Sequence, residues 1–441
     1  MPKSGKQARN VTPRQEDRRS DERNDGGVVR GRILKSLGPG IVSGAADDDP
    51  SGIATYSIAG AQYGLAFLWT ALITWPLMAA VQTMCARVGM VTGAGLMSAF
   101  RKKFPRWVLV IVAAALFIAN TINIGSDLSA MADAAEMLTS VSSHIWVFAF
   151  AAAIILATVF LSYHAIGNAL KWLALVLVAY VITAFIVHPK WGGVFVATFK
   201  PSFPAGRGAA ATLVAILGTT ISPYLFFWQT SHEVEYEKSL GRRRLTDRQG
   251  ASHAEIVIRK VDVGIGTLAS NVAMYFIILT TALTLHSHGM THLATSREVA
   301  SALRPLAGSL ATLLYTVGIL GTGALAIPTL AGSSAYAFAE TFGWDQGINE
   351  KVNQAPRFYA VVAAAVIIGV TLDFTNVNPI SALYWTAVIN GLLAPFLLVG
   401  LLLVASDRRL MRGQASSLLG RGVVGITTVA MILAALGMFF L

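Results

Sequence analysis

Apolar stretches about 20 residues long recur along the whole chain, and this feature limits its fold more than any other. At ~1.5 Å of rise per helical residue, ~20 residues span the ~30 Å hydrocarbon core of a bilayer. Charged residues make up only 13% of the chain, about half the share in a typical soluble protein. The pattern predicts an all-α polytopic membrane protein. It argues against a soluble enzyme and a disordered scaffold, and against a β-barrel because period-2 alternation is absent.

Eleven hydrophobic segments are predicted to be transmembrane helices, and the charges between them predict the orientation. The segments run over 37–64, 66–91, 107–137, 145–163, 167–188, 208–231, 262–285, 309–342, 357–374, 380–405 and 421–441. With the N-terminus inside, the cytosolic segments hold 27 Lys and Arg residues and the outer segments hold 5. Because Lys and Arg accumulate on the cytosolic side, we expect a cytoplasmic N-terminus and an outside C-terminus in the plasma or inner membrane.

Two of the predicted spans contain a proline beside polar residues. The first includes Asp47-Asp48-Asp49-Pro50-Ser51-Gly52, and the sixth includes Thr219-Thr220-Ile221-Ser222-Pro223-Tyr224. Proline interrupts the helical hydrogen-bond ladder, and a carboxylate within a span costs several kcal/mol unless it is paired, hydrated or bound to a cation. Taken alone, Pro223 in the sixth span would more simply be a proline kink. Two breaks in the same chain favour a transport site.

The positions of the two breaks indicate an internal repeat. If spans 1–5 and 6–10 form two repeats, the odd number of spans in each makes the repeats inverted, and the breaks are equivalent. Carbonyls freed there would form, with Asp49, an oxygen-rich cation site near the membrane midplane. The predicted divisions are a disordered cytosolic tail (1–36), a first five-helix repeat (37–188), an outside linker (189–207), a second five-helix repeat (208–405), and a loop with the eleventh helix (406–441).

Short motifs in spans 1, 6 and 8 carry a family resemblance. They are Gly38-Pro39-Gly40 followed by Asp49-Pro50-Ser51-Gly52, then Ala59-Gly60-Ala61-Gln62-Tyr63-Gly64, the stretch 219–224, and Thr329-Leu330-Ala331-Gly332. With these motifs the chain resembles the NRAMP divalent metal transporters over roughly residues 37–441. The resemblance implies a LeuT-like fold of 11 transmembrane helices, with two inverted five-helix repeats and broken helices 1 and 6.

The resemblance also implies a set of metal ligands, which this chain retains only in part. The family's metal-binding aspartate corresponds to Asp49, its asparagine to Gly52, an alanine to Thr219 and its methionine to Ser222. Asp48 is a further candidate member of this pocket. A thioether favours softer transition metals, whereas carboxylate, hydroxyl and carbonyl oxygens suit Mg²⁺. The chain therefore looks similar to divergent NRAMP-related magnesium transporters, with Mg²⁺ as the expected cargo and Mn²⁺ tolerated.

The residues that the resemblance assigns to proton coupling are also only partly present. The family's third-span aspartate corresponds to Asp127, but the relay glutamate position holds Ala130 and the sixth-span histidine position holds Tyr224. Arg357, at the start of the ninth span, is expected either to pair with an acid of this network or to anchor a helix end on the cytosolic side. A proton relay through Asp127 and a proton-independent uniporter both stay open.

The sequence thus predicts a secondary transporter that imports divalent cations by alternating access around a midplane site. We expect Mg²⁺ or Mn²⁺ as substrate, no cofactor, and the metal ion and membrane lipids as partners, without nucleic acid or an obligate protein partner. The first alternative is a proton-coupled Mn²⁺/Fe²⁺ importer of the ordinary NRAMP type. An intramembrane hydrolase using Asp127 as its second aspartate, or a LeuT-like carrier of an organic solute, is a weaker fit. No catalytic motif accompanies Asp127, and three consecutive aspartates suit an organic carboxylate poorly.

Overall fold

The computed structural model describes residues 44, 47–160, 175–375 and 377–440, and within these ranges the chain is helical, without β-strands. The helices that carry the fold are α1 (Pro50–Tyr63), α2 (Leu68–Thr92), α3 (Arg106–Thr139), α4 (Ser143–Phe160), α5 (Val178–Ile186), α6 (Arg207–Thr220), α7 (Pro223–Ser239), α8 (His253–Thr284), α9 (Ala311–Phe342), α10 (Pro356–Leu372), α11 (Pro379–Ser406) and α12 (Leu418–Phe440). Short helices in the connections are Leu96–Phe100, Trp191–Phe199, Leu245–Arg248, Ser296–Ser301 and Arg304–Ala307. The predicted tail (1–36), the motif at 38–40 and the junction of spans 4 and 5 lie outside the described residues.

Several of these helices begin at a proline or directly after a capping residue. Prolines occupy the first position of α1, α7, α10 and α11, where the missing N–H would have no helical partner. Ser252 and Glu255 form a reciprocal capping box at the start of α8. Helix α8 therefore begins nine residues before the predicted start of the seventh span. The predicted start at residue 262 was too late, because a hydropathy reading ends a span at charged residues that a cap and ion pairs can keep helical.

Eight helical stretches of the described residues are long and apolar enough to cross a bilayer. They include Pro50–Thr92, which contains α1 and α2, and Arg207–Ser239, which contains α6 and α7. Helix α10 is a shorter apolar helix, and α5 follows the undescribed segment 161–174. The chain is a multi-pass membrane protein, and the total of eleven spans stays a prediction.

The broken sixth span lies at the centre of the helix packing. In this span, 94% of the most apolar 18-residue stretch is buried inside the protein, whereas only 28% of the corresponding stretch of α12 is buried. Helix α6 packs against α11, α12 and α1, while α7 packs against α2 and α9. Glycine permits the closest of these approaches, because a Cβ on Gly218 would lie 2.1 Å from the Ala387 carbonyl oxygen and 2.3 Å from the Gly391 nitrogen. The first and sixth spans are thereby held together inside the protein, away from lipid.

Candidate metal centre

Asp49 ends the irregular segment before α1 and caps that helix. Its backbone is extended, with φ −73° and ψ 169°, and Pro50 follows at the first helical position. The Asp49 Oδ1 atom accepts hydrogen bonds from the Ser51 hydroxyl (2.6 Å) and the Gly52 N–H (2.8 Å). Aspartate is among the best residues at this position because its carboxylate satisfies N–H groups that lack a helical partner. The break in the first span therefore fixes one carboxylate oxygen and leaves Oδ2 facing away from these donors.

A matching break divides the sixth span between α6 and α7. Ile221 leaves the helical conformation (φ −119°, ψ 57°) and Ser222 is extended (φ −73°, ψ 133°) before Pro223 starts α7. The Ser222 hydroxyl donates to the carbonyls of Gly218 (2.8 Å) and Thr219 (2.7 Å). These carbonyls lie at the end of α6, where the ladder stops, so a hydroxyl supplies the donor that the helix lacks.

The two breaks meet at Gly52 and Thr219. A Cβ added to Gly52 would lie 3.2 Å from Thr219 Oγ1 and 3.6 Å from Asp49 Oδ1. Thr219 is 1% exposed, and its hydroxyl faces the Tyr56 side chain. The structure thus brings together Asp49, Gly52 and Thr219, with Ser222 at the adjoining break. The donors that face this point are a carboxylate and hydroxyls.

Asp48 and its neighbour Asp47 turn toward α8. Ser270 of that helix donates to Asp47 Oδ2 (2.7 Å) and to Asp48 Oδ1 (3.0 Å). Both carboxylates are buried. Asp48, predicted as a pocket member, therefore shares its side-chain partner with Asp47, while the Asp49 carboxylate has a separate set of partners.

Helix α3 supplies a residue that the sequence analysis missed. Asn123 Nδ2 donates to Asp49 Oδ2 at 3.1 Å, and Asn123 is fully buried. Asp127 follows one turn later, also fully buried, and neither of its carboxylate oxygens has a hydrogen-bond partner among the described residues. Asn120, Asn123 and Asp127 recur at intervals of three and four residues. This spacing places them on one helix face and is a signal that could have identified Asn123.

The structure places the other two residues predicted for proton coupling, Tyr224 and Arg357, in different surroundings. Tyr224, at the start of α7, is fully buried and interacts electrostatically with Asp49 and Asp127. Arg357 is instead exposed, and its guanidinium lies 5.7 Å from the centre of the Trp344 ring. Among the described residues no acid pairs with Arg357, and the alternative of a helix-end anchor fits its position.

A buried ion cluster joins α7 to α8 and was also missed. Arg259 Nε donates to Glu233 Oε2 (2.9 Å), and Arg259 Nη1 donates to Asp262 Oδ2 (2.5 Å). Gln229 Nε2 adds a hydrogen bond to Glu233 (2.7 Å). All three charged residues are at most 5% exposed. The partners come from two helices, so sequence spacing alone did not reveal the cluster.

A sequence profile described as natural resistance-associated macrophage protein-like, or Nramp, matches residues 40–441. The chain belongs to the Nramp family. Among its curated relatives, the divalent metal cation transporter MntH of Caldanaerobacter subterraneus is 24% identical over 426 residues, covering 92% of this chain and 93% of that protein. MntH of Bacillus subtilis is 24% identical over 432 residues, covering 94% of each.

Solved transporter structures share the architecture of this Nramp protein. A manganese transporter of Eremococcus coleocola, in complex with an aromatic bis-isothiourea compound, has a TM-score of 0.76 at 16% identity, covering 93% of this chain and 87% of that chain. MhsT in complex with L-phenylalanine has a TM-score of 0.58 at 12% identity, covering 91% and 98%. The predicted all-α LeuT-like fold and the NRAMP resemblance are confirmed. As a member of this family the protein is a membrane transporter and not an enzyme.

Proposed function

We propose that this Nramp protein imports divalent metal cations, with Mg²⁺ favoured and Mn²⁺ tolerated, by alternating access around Asp49. The observation that carries the proposal is the meeting of the two breaks, where the Asp49 carboxylate and the buried Thr219 hydroxyl lie on either side of Gly52. Discontinuous helices of this kind expose backbone carbonyls and helix ends to an ion at the repeat interface. Asp49 is the anionic ligand, and Thr219 and Ser222 contribute oxygen atoms directly or through bound water.

The preference for a hard cation follows from the donor atoms. Carboxylate, hydroxyl and carbonyl oxygens suit Mg²⁺ and Mn²⁺, and they offer no soft sulfur that would favour heavier transition metals. Mg²⁺ keeps several of its waters when it binds to proteins, so it needs few direct ligands. Gly52 has no side chain beyond its Cα, and a Cβ there would lie 3.2 Å from Thr219 Oγ1 and 3.6 Å from Asp49 Oδ1, so glycine leaves these two oxygens uncovered.

A proton-coupled Mn²⁺/Fe²⁺ importer is the second candidate. The relatives are named divalent metal cation transporters, and one solved relative is a manganese transporter. Asp127 supports this candidate, because a fully buried carboxylate without a hydrogen-bond partner among the described residues is a plausible proton carrier. In both candidates the N-terminus is cytoplasmic and the C-terminus outside, so import runs toward the side with more Lys and Arg.

Purified protein in liposomes separates the two candidates. Vesicles contain a Mg²⁺-sensitive or Mn²⁺-sensitive dye, and each ion is added outside with and without an inward proton gradient. Mg²⁺ entry that is independent of the gradient supports the hard-cation uniporter. Absence of Mg²⁺ entry together with acid-stimulated Mn²⁺ entry would contradict the Mg²⁺ preference and select the second candidate. Absence of entry by either ion would contradict both.

The ion pair between Lys103 and Asp407 does not produce a pH effect of its own in this transport assay. The Lys103 ammonium, 2.5 Å from Asp407 Oδ2, and the N–H groups of Leu410 and Arg409 lower the pKa of Asp407 to about 2. A carboxyl with a depressed pKa stabilises the fold above its ordinary pKa and loses that contribution only as the pH falls toward the depressed value. The Asp407 carboxylate therefore stays ionised across the assay range, and an effect of mild acid must come from another group.

A further inference from the structure

The two oxygens of the Asp49 carboxylate have different partners. Oδ1 accepts hydrogen bonds from Ser51 and Gly52, and both donors belong to the first turn of α1. Oδ2 accepts from Asn123 Nδ2. A cation that bound at Oδ1 would have to displace the cap of α1, so Oδ2 is the oxygen that can bind a cation while α1 keeps its N-terminal cap.

The Asn123 amide now occupies the approach to that oxygen. Its NH₂ group points its protons at Asp49 Oδ2 from 3.1 Å, and a cation in the same place would be repelled by them. An asparagine amide carries two donors on one side and an acceptor oxygen on the other. Asn123 Oδ1 is buried and has no hydrogen-bond partner among the described residues. Rotation of the amide about the Cβ–Cγ bond therefore breaks only the bond to Asp49.

The distance after such a rotation fits an octahedral ion. Half a turn places Oδ1 near the present position of Nδ2, about 3.1 Å from Asp49 Oδ2. Octahedral Mg²⁺ holds oxygens at ~2.1 Å, so two adjacent ligands lie about 3.0 Å apart. The spacing of Asn123 and Asp49 matches this edge, and a larger ion such as Ca²⁺, with ligands at ~2.4 Å, would need about 3.4 Å.

We propose that Asn123 is a direct metal ligand that exchanges donor for acceptor: its NH₂ group holds Asp49 Oδ2, and rotation of the amide presents Oδ1 to a divalent cation bound at that oxygen. This inference rests on the proposed function, because it requires the cation to bind Asp49. It places one ligand on the unbroken helix α3, in addition to those on the two broken spans.

Two variants distinguish a ligand from a residue that only orients Asp49. Asn123→Ala removes both the donor and the acceptor. Asn123→Asp keeps an oxygen at the same reach and removes the NH₂ donor, so it preserves a ligand but abolishes the hydrogen bond to Asp49. Asn120→Ala is the matched control: Asn120 lies one turn away on α3, and its Nδ2 donates to Leu330 O (2.9 Å) and Ser334 Oγ (3.0 Å) of α9.

The experiment measures Mn²⁺ binding to each purified protein at pH 8 by electron paramagnetic resonance, with Mg²⁺ as competitor. We expect Asn123→Ala to weaken the binding of both ions by about tenfold or more, since loss of even an outer-shell partner has an effect of this size in metal sites. Asn123→Asp should bind at least as tightly as the wild type, and Asn120→Ala should bind normally. The inference is overturned if Asn123→Asp binds as weakly as Asn123→Ala, or if Asn123→Ala binds like the wild type.

Asp49→Asn, measured in parallel, separates this inference from the proposed function. Loss of binding in Asp49→Asn with normal binding in Asn123→Ala would overturn the role of Asn123 alone. Normal binding in Asp49→Asn would overturn the placement of the cation, and with it both proposals. Size-exclusion profiles and melting temperatures of all variants establish that each protein is folded.

Discussion

Asp49 combines a structural and a chemical role in one side chain, and the two can be separated. Asparagine caps helices as well as aspartate does, because its side-chain oxygen accepts the same hydrogen bonds. Asp49→Asn should therefore retain the bond from the Gly52 N–H and the stability of the fold, yet abolish cation transport. Asp49→Ala should lose transport and about 1 kcal/mol of stability as well. Transport in liposomes and thermal unfolding measure the two effects, and persistent uptake by Asp49→Asn would contradict the proposed site.

Ser222 occupies the position, at the break between α6 and α7, where the family resemblance places a methionine. Ser222→Met would place a thioether there, and soft ligands favour Cd²⁺ and other transition metals over Mg²⁺. We expect the ratio of Cd²⁺ to Mg²⁺ uptake to rise in Ser222→Met. Ser222→Ala is the control, because it removes the hydroxyl that donates to Gly218 and Thr219 without adding sulfur. An equal rise in both variants would assign the change to the lost hydroxyl.

The sequence was informative at the residue scale where proline or clustered charge marked the site. Asp49 and Ser222 each precede a proline within an apolar segment, and the breaks occur at these residues. Asn123 gave no such local mark, since α3 is uninterrupted and the partner of the amide lies 74 positions away in the chain. Arg357 shows the converse, because its charge suggested a pairing that its exposed position does not provide.

Among the helices, the contact of α6 with α11 depends on glycine. Alanine at Gly218 would bring its Cβ within 2.1 Å of the Ala387 carbonyl oxygen, which is backbone and cannot rotate away. We expect Gly218→Ala to separate the helices, displace Thr219, and lower both the melting temperature and transport, with an overpacking cost of about 1–3 kcal/mol. Gly422→Ala in α12 is the control, because a Cβ there meets nothing within 4 Å. Equal melting temperatures for the two variants would contradict the expected close contact.

The ion cluster between α7 and α8 should contribute strongly to stability only while it is complete. Removing one partner of a buried pair leaves an uncompensated charge and costs about 3–5 kcal/mol, so Arg259→Gln should lower the melting temperature substantially. Arg242→Gln is the control: Arg242 pairs with Glu237 and Glu255, but its side chain is 36% exposed, and exposed pairs contribute about 1 kcal/mol or less. The triple variant Glu233→Gln, Arg259→Gln, Asp262→Asn should recover part of the loss. The Arg259 guanidinium also lies 5.0 Å from the centre of the Tyr236 ring, and failure of the triple variant to recover would indicate that this contact matters more than charge.

Helix ends were predictable where hydropathy and capping agree and were missed where they conflict. Helices α2, α3 and α9 begin and end within about two residues of the predicted spans. Helix α8 begins earlier than predicted because its first turns carry Glu255, Arg259 and Lys260, which a hydropathy reading treats as loop. Inside the protein Arg259 pairs with Glu233 and with Asp262, and Glu255 closes the capping box, so the helix continues through these residues.

For the whole molecule, the orientation in the membrane is open to a direct test. The single cysteine, Cys85, is fully buried and gives an unreactive background. We expect Ser287→Cys, between α8 and α9, to react with a membrane-impermeant maleimide on intact cells. Thr246→Cys, between α7 and α8, should react only after permeabilisation, because the excess of Lys and Arg predicts that this loop is cytosolic. The reverse labelling pattern would contradict the proposed orientation.

The central position of the sixth span also constrains how the chain is made. Helix α6 packs against α11, which the ribosome completes only after roughly 180 further residues. At ~5–20 residues per second, synthesis of that interval takes about 9–36 s. Until then the face of α6 that carries Gly218 lacks the α11 backbone against which it packs. Mutations that delay α11 should therefore reduce the yield of assembled transporter even when every residue of the cation site is intact.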